Sequence, residues 1–432
     1  MTAQYTRRRF TKTLLASTLA VAASQSGAQS ANRKPITEFG AVADGKTVNT
    51  RAIQAAIDQL AVQGGGTVVV PAGRFVSGAL FLKPQVHLHL EQGAVLECST
   101  DMANFPPRRT RIEGHFEDKF TPALINASGC NGLRITGEGT LDGAGRPIWD
   151  LFWKLRNAAK DPHNFPNLGL PRARLALIDS SRDVLVEGVT FKDSQFWNLH
   201  IYNCQEVTVR KARFVVPDDY KQAPSTDGID LDSCQRVTID GCYFSVTDDC
   251  IAAKGSKGPL ALEDRSSPPV EHIRVRNCVF KRGHSVLTLG SEATIVRDVV
   301  IEDCEVGDVR VAHLKLRSDT PQHYEDIHYR NIKLTGSSVS ILDIIPWSQY
   351  KNLQGQKPPQ STVRNITFTA FSGSAGTLGN IAPNPGQTTM SDIQLKDFNV
   401  SLRDGQLRAA GVNNLKLDNV IVNGKPYTAV TS

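Results

Sequence analysis

Six eight-residue segments in the middle of the chain share one arrangement of apolar and polar positions: VLVEGVTF from Val184, VTVRKARF from Val207, VTIDGCYF from Val237, IRVRNCVF from Ile273, VVIEDCEV from Val299 and IHYRNIKL from Ile327. In each, apolar residues alternate through the first half, a polar or Gly/Asn-containing pair interrupts, and apolar residues resume. This predicts a short strand, a bend and a second short strand. Degenerate copies begin at Leu133, Ile366, Ile393 and Leu415, and the starts of the central six lie 23 to 36 residues apart. So small a unit cannot bury its own apolar face, and the copies must stack. Strands recurring at a little over twenty residues, with loops inserted between them, predict an all-β, right-handed parallel β-helix. The lack of helices between the strands excludes a doubly wound α/β sheet, and the lack of tight hairpin signals excludes a propeller.

A stacked coil exposes its core at the ends unless something covers it. The stretch from Asn49 to Gln63 supplies an N-terminal capping helix, with Ala52, Ile53, Ala56, Ile57 and Leu60 at helical spacing. Gly64, Gly65 and Gly66 stop it ahead of a strand at Thr67–Val70. The expected domain runs over 31–432, with its cap at about 36–75. An insertion between Asn104 and Phe120, holding Arg108, Arg109, Arg111 and His115, is too far from any repeat to be core and is expected to wall a cleft.

The first thirty residues change the picture of composition. Arg7, Arg8, Arg9, Phe10 and Lys12 precede an apolar stretch from Leu14 to Ala23 and small residues around Ala28 and Ala31. That order predicts a twin-arginine signal over 1–30 and export to the periplasm or the medium. Its removal lowers the formal net charge from +6 to +2, which leaves no electrostatic footprint for nucleic acid. Hydrophobic residues make up 40% and charged residues 21%, and the remaining chain has no apolar run long enough to span a bilayer. A monomer is expected. Cys242, Cys278 and Cys304 occupy the sixth position of their segments, and Cys130, Cys204 and Cys234 each fall three residues before one. Equivalent positions stack, so these cysteines predict ladders of buried thiols with few or no disulfides, which suits export of an already folded chain from a reducing cytosol.

Two acidic motifs stand out: STDGID with Asp227, and TDDC with Asp248 and Asp249. Asp227 and Asp249 are 22 residues apart, close to one coil, which places them on neighbouring strands about 4.8 Å apart. Like charges so close raise at least one pKa. Glycosidic cleavage uses such a set, because one carboxyl must donate a proton while another accepts one. Clustered carboxylates also suit calcium. The expectation here is no metal and no cofactor. Asp230, Asp232 and Asp240 are expected to cap turns.

These motifs resemble those of glycoside hydrolase family 28, the polygalacturonases and rhamnogalacturonan hydrolases, with their pectin-lyase-like β-helix. The likeness includes Phe39-Gly40-Ala41 to Asp44-Gly45, Gly64-Gly65-Gly66-Thr67 to Pro71-Ala72-Gly73, Gly139-Thr140-Leu141-Asp142-Gly143, Asp193-Ser194-Gln195-Phe196-Trp197, STDGIDLDSC, DDCIAAKG, Gly283-His284-Ser285 and Lys315-Leu316-Arg317. The resemblance implies inverting hydrolysis of an acidic plant cell-wall polysaccharide. It implies Asp248 as general acid, Asp227 and Asp249 as the residues that activate water, and His284 as the partner of the acid. It further implies that Lys315 and Arg317 grip a sugar carboxylate, with Lys254 and Tyr329 as weaker contacts. Three positions depart from the family pattern: Ser225 stands for Asn, Ser285 for Gly, and Lys315 and Arg317 are in exchanged order. A polysaccharide lyase and a non-catalytic carbohydrate-binding solenoid are the alternatives. A lyase would leave an unsaturated, ultraviolet-absorbing sugar end, and a binding solenoid would favour aromatic platforms over acids.

Overall fold

The computed structural model describes residues 32–162, 165–349 and 351–428, so the expected signal at 1–30 lies outside the described residues. Among the described residues, twenty-nine strands join one continuous wound sheet. Each coil contributes to three faces. In the coil from Arg182 to Tyr202, for example, Arg182–Glu187 lies on face 1, Thr190–Lys192 on face 2 and Leu199–Tyr202 on face 3. The next coils repeat this in parallel register: Val184 pairs with Val207 and then Val237, Phe191 with Phe214 and then Phe244, and Ile201 with Leu231 and then Ala253. One apolar core runs inside the coils from Ile36 to Val422. Its spine includes Phe191, Phe214, Phe244 and Phe280, stacked with ring centroids 4.9, 5.0 and 4.8 Å apart. Each is the eighth residue of its repeat.

The polar interruption is where the chain turns from face 1 to face 2. The fifth residue of all six repeats, Gly188, Lys211, Gly241, Asn277, Asp303 and Asn331, has positive φ, between 49° and 80°. A left-handed residue bends the strand there, and Gly, Asn and Asp tolerate that conformation best. The sixth residue then points inward, and the cysteines at that position form part of the core. All eight cysteines of the chain are buried free thiols.

Helix α1, Thr50–Val62, covers the first coil with Ile53, Ala56, Ile57 and Leu60. It ends at the glycine run, where a Cβ on Gly66 would meet the Asn32 carbonyl at 2.5 Å and the Leu60 side chain at 2.7 Å. A second helix, α2 (Arg146–Ala158), is absent from the sequence expectation. It belongs to an insertion, not to a coil, and so shows no repeat register. Its signal is the apolar face of Ile148, Trp149 and Phe152 behind Pro147 in the first turn.

Insertions concentrate at the corner between faces 2 and 3. Residues 99–124 and 143–175 leave the coil there, followed by the shorter loops 216–228 and 246–250. In the next two coils the corner closes without a loop, since strands Val279–Leu289 and Ile295–Arg317 run straight through it. The expected wall at 104–120 is a hairpin of Arg108–Ile112 and His115–Phe120. Its Arg111 is buried rather than presented to solvent, with Nε 3.1 Å from Asp232 Oδ2 and an NH2 donating to the Gly255 carbonyl at 2.6 Å.

Candidate active site

Strands alternate their side chains, so while Ile229, Leu231, Ile251 and Ala253 enter the core, Asp230, Asp232, Ala252 and Lys254 face outward on face 3. Walls and loops cover that outer surface, and Asp230 and Asp232 are buried although they lie outside the apolar core. Above this floor a cleft of about 460 Å³ opens at the corner, bordered by Glu113 of the hairpin, Phe152, Trp153 and Arg156 of α2, Lys221 and Ser225 of the 216–228 loop, and Trp347.

Asp227, Asp248, Asp249, His284, Lys254 and Lys315 all line this cleft. Each comes from the same corner or from the strand after it, on successive coils. Asp227 and Asp249 are 3% and 2% exposed. The Asp248 side chain keeps 27% of its surface and that of His284 61%. His284 Nδ1 lies 3.1 Å from Asp248 Oδ1, and the His284 amide donates to the Asp248 carbonyl at 2.9 Å. Ser285 donates its hydroxyl to Asp249 Oδ1 at 3.1 Å, so the serine that departs from the family pattern supplies a hydrogen bond to a carboxylate. Lys315 donates to Asp249 Oδ2 at 3.4 Å, with its ammonium 4.9 Å from the Trp347 ring centre. Ser225, the other single-residue departure, adopts φ 57° and donates to Asn167 Oδ1 at 3.2 Å.

The charges divide the three aspartates. Burial, reinforced by Asp248 and Asp230, pushes the Asp227 carboxyl far above the usual range, so it holds its proton. Burial also works to raise Asp248 and Asp249. For Asp248 the charge and hydrogen bond of His284 outweigh it, and for Asp249 the charges of Lys315 and His284 do, so both are held below the usual range. The charge of Asp248 raises His284 to about 9. The resting proton of the Asp248–His284 pair therefore sits on the imidazole, not on the carboxyl that the resemblance names as the acid.

The remaining cations differ from expectation. Lys254 is 6% exposed. Its Nζ lies 3.6 Å from Asp227, 3.5 Å from Asp230 and 3.4 Å from Glu292, over the face of Trp197 at 4.5 Å, so its charge is already engaged by protein carboxylates. Arg317 is 2% exposed and outside the cleft lining, and Asp319 takes its Nε and NH2 at 2.8 Å each. Tyr329 is not brought to the site at all. It occupies the third position of its repeat, a core position, and stacks on Phe368 with centroids 4.9 Å apart. Glu292, Trp197 and Trp347 border the cleft without having been singled out as site residues in the sequence. Only Trp197 carried a signal, within the Asp193–Trp197 motif.

Asp248, Asp249 and His284 each offer one ligand atom, all within 4.8 Å of one another, which is the spacing of a possible metal set. Asp248 Oδ1 is held by His284, and the two Asp249 oxygens by Ser285 and Lys315.

A family model described as "Glycosyl hydrolases family 28" matches residues 66–421, and one described as "Rhamnogalacturonase A/epimerase, pectate lyase-like" matches 35–91. The chain is 30% identical over 284 residues to a probable polygalacturonase of Vitis vinifera, across 63% of this chain and 54% of that protein. It is 24% identical to an exopolygalacturonase of Zea mays, across 88% and 84%. Among solved structures it is similar to an exopolygalacturonase of Thermotoga maritima, with TM-score 0.75 and 24% identity over 92% and 93% of the two chains. A family 28 exopolygalacturonase of Yersinia enterocolitica gives TM-score 0.66 and 21% identity over 92% and 79%. These likenesses establish the coil as a right-handed β-helix.

Proposed function

The chain belongs to the glycosyl hydrolases of family 28, and from that premise we propose that it hydrolyses the α-glycosidic bonds of galacturonic-acid-containing pectic polysaccharide with inversion at the anomeric carbon. The observation that carries this reading is the convergence of Asp227, Asp248, Asp249, His284 and Lys315 in one cleft, with the protons unevenly shared. Asp248, the most exposed of the three carboxyls, delivers the proton to the leaving oxygen. The proton comes from the pair it forms with His284. Asp249, ionised and steadied by Lys315 and Ser285, takes a proton from the attacking water, and Asp227 orients that water and joins as base once it ionises. Lys315 is the cation that meets the sugar carboxylate, since it lines the cleft and contacts one protein acid, Asp249, whereas Lys254 is shared among three and Arg317 lies outside the cleft lining. The roles of acid and base follow the general requirement for one proton donor and one acceptor on opposite sides of the bond.

A second assignment has its own support: Asp227, the carboxyl that holds its proton in the resting site, would be the donor. One experiment separates the two. If Asp248 is the donor, Asp248→Asn loses roughly 10² to 10⁴ in turnover on pectic oligomers and much less on a substrate whose leaving group needs no proton, while Asp227→Asn and Asp249→Asn fail on both. Recovery of Asp227→Asn, rather than Asp248→Asn, on the activated substrate would move the donor to Asp227. Magnetic resonance of the first-formed product reads the anomer, and ultraviolet absorbance at the new end would indicate a lyase instead.

The walls support attack from a chain end. The two large insertions, 99–124 and 143–175, stand on coils that precede the acids, while the coils that follow carry nothing longer at this corner than the short turn 336–339. Such a groove is blocked on one side. Release of one short product from long oligomers, with little early loss of viscosity, is the expected pattern, and a random ladder of products would exclude it. Export by a twin-arginine route and a monomeric state remain part of the proposal, checked by fractionation of the producing cells and by sedimentation.

A further inference from the structure

Asp230, expected to cap a turn, caps nothing. It lies inside strand Ile229–Asp232, is wholly buried, and neither carboxyl oxygen has a hydrogen-bond partner. Its near neighbour is Lys254 Nζ, 3.5 Å from Oδ1, and the same ammonium lies 3.6 Å from Asp227 and 3.4 Å from Glu292. Three buried carboxyls thus converge on one cation directly beneath the reacting groups. One ammonium cannot neutralise three carboxylates so deeply buried, so at least one of them keeps a proton. With no surface of its own, Asp230 does not touch a substrate and can act only through its neighbours.

We propose that Asp230 is a positioning residue for the reaction: by competing with Asp227 for Lys254, it sets how readily Asp227 gives up its proton and hence the lowest pH at which the site activates water. This rests on the function proposed above.

The surroundings are consistent with it. Asp227 faces Asp248, Asp249, Asp230, Lys254 and the buried Arg172. Asp230 faces Lys254, Asp227 and Asp249, with Arg174 and the neutral, buried His200 on the coils before it. Glu292 is faced by Lys254, Lys257 and Arg317. Burial, partly offset by Lys254, pushes Asp230 up to about 8, while Glu292, for which Lys254 and Lys257 outweigh burial, is held down at about 2. The ammonium therefore serves Glu292 first, and the two aspartates compete for what remains of it as each ionises.

Replacing either competitor with its uncharged amide leaves more of Lys254 to Asp227. The expected result for Asp230→Asn, and equally for Glu292→Gln, is that the acid limb of kcat/KM on galacturonan oligomers moves to lower pH by about one unit or more. The protonated-carboxyl infrared band should disappear at lower pH than in the parent protein. A residue that only supports the fold would lower the melting temperature and leave both curves in place. A folded Asp230→Asn with an unmoved acid limb and an unmoved infrared titration overturns the proposal. If Asp230→Asn does not fold, Glu292→Gln decides it by the same two curves. Failure of the parent protein to cut any uronan would sink the functional reading instead, and the infrared titration would still judge this inference.

Discussion

At the residue scale, the contact between His284 and Asp248 has a readable pH signature. His284 is raised to about 9 by Asp248, and a raised group adds stability that is complete below its unfolded pKa, about 6.5, and fades as pH climbs through the folded value. Asp248 is lowered, so its share is complete above about 3.9 and fades as pH falls. The pair is therefore at full strength between about pH 4 and 6.5. A melting-temperature profile of the parent protein minus that of His284→Gln should be largest in that window and shrink towards pH 9, and a flat difference would refute the ion pair. Tyr329 gives the opposite kind of test. Its hydroxyl is buried without a hydrogen-bond partner, so Tyr329→Phe removes an unsatisfied group. Stability should hold or rise by up to about 1 kcal/mol, with kcat/KM on pectic oligomers unchanged. A tenfold loss of activity in the folded variant would return Tyr329 to the site.

At the scale of the element, the repeat was legible because one residue in each copy must bend the chain. Gly241 shows the rule without complication, since a Cβ there would touch only Lys211 at 3.9 Å and its φ is 64°. Gly241→Asn should be nearly neutral in denaturant unfolding, while Gly241→Val should cost about 1 to 2 kcal/mol from backbone strain alone. Equal costs would mean that packing, not φ, selects the residue. The same periodicity assigns Tyr329 to the core, at the position held by Val186, Val209, Ile239, Val275 and Ile301 in the other repeats, and on that point it is a better guide than motif resemblance. Periodicity is silent wherever the chain leaves the coil. Helix α2, the tie of Arg111 to Asp232 and the approach of Glu292 to Lys254 all depend on insertions or on side-chain reach between coils, and no local pattern encodes either. The acids themselves could be read because their spacing equals about one coil.

For the whole molecule, stacking makes stability a matter of neighbours, so the ends should open before the middle. The buried thiols report on this, being spread through the coils from Cys98 to Cys304. Under native conditions with a thiol reagent in excess, Cys98, nearest the N-terminal cap, should be modified before Cys204, Cys234 and Cys242 in mid-stack, and all eight should react once the chain is denatured. Simultaneous labelling of all sites would show a single cooperative opening. The one-sided placement of the walls has a different consequence, for motion along the substrate. If a polymer enters a groove closed at one end, its advance stops when its tip meets the barrier, and the distance from barrier to acids measures out the piece removed. The shortened polymer can then move forward by that same distance and no further. On the proposal of attack from a chain end, the wall would act as the stop of a ratchet that fixes the step of each cycle, and shortening α2 would lengthen the stride before it altered the chemistry.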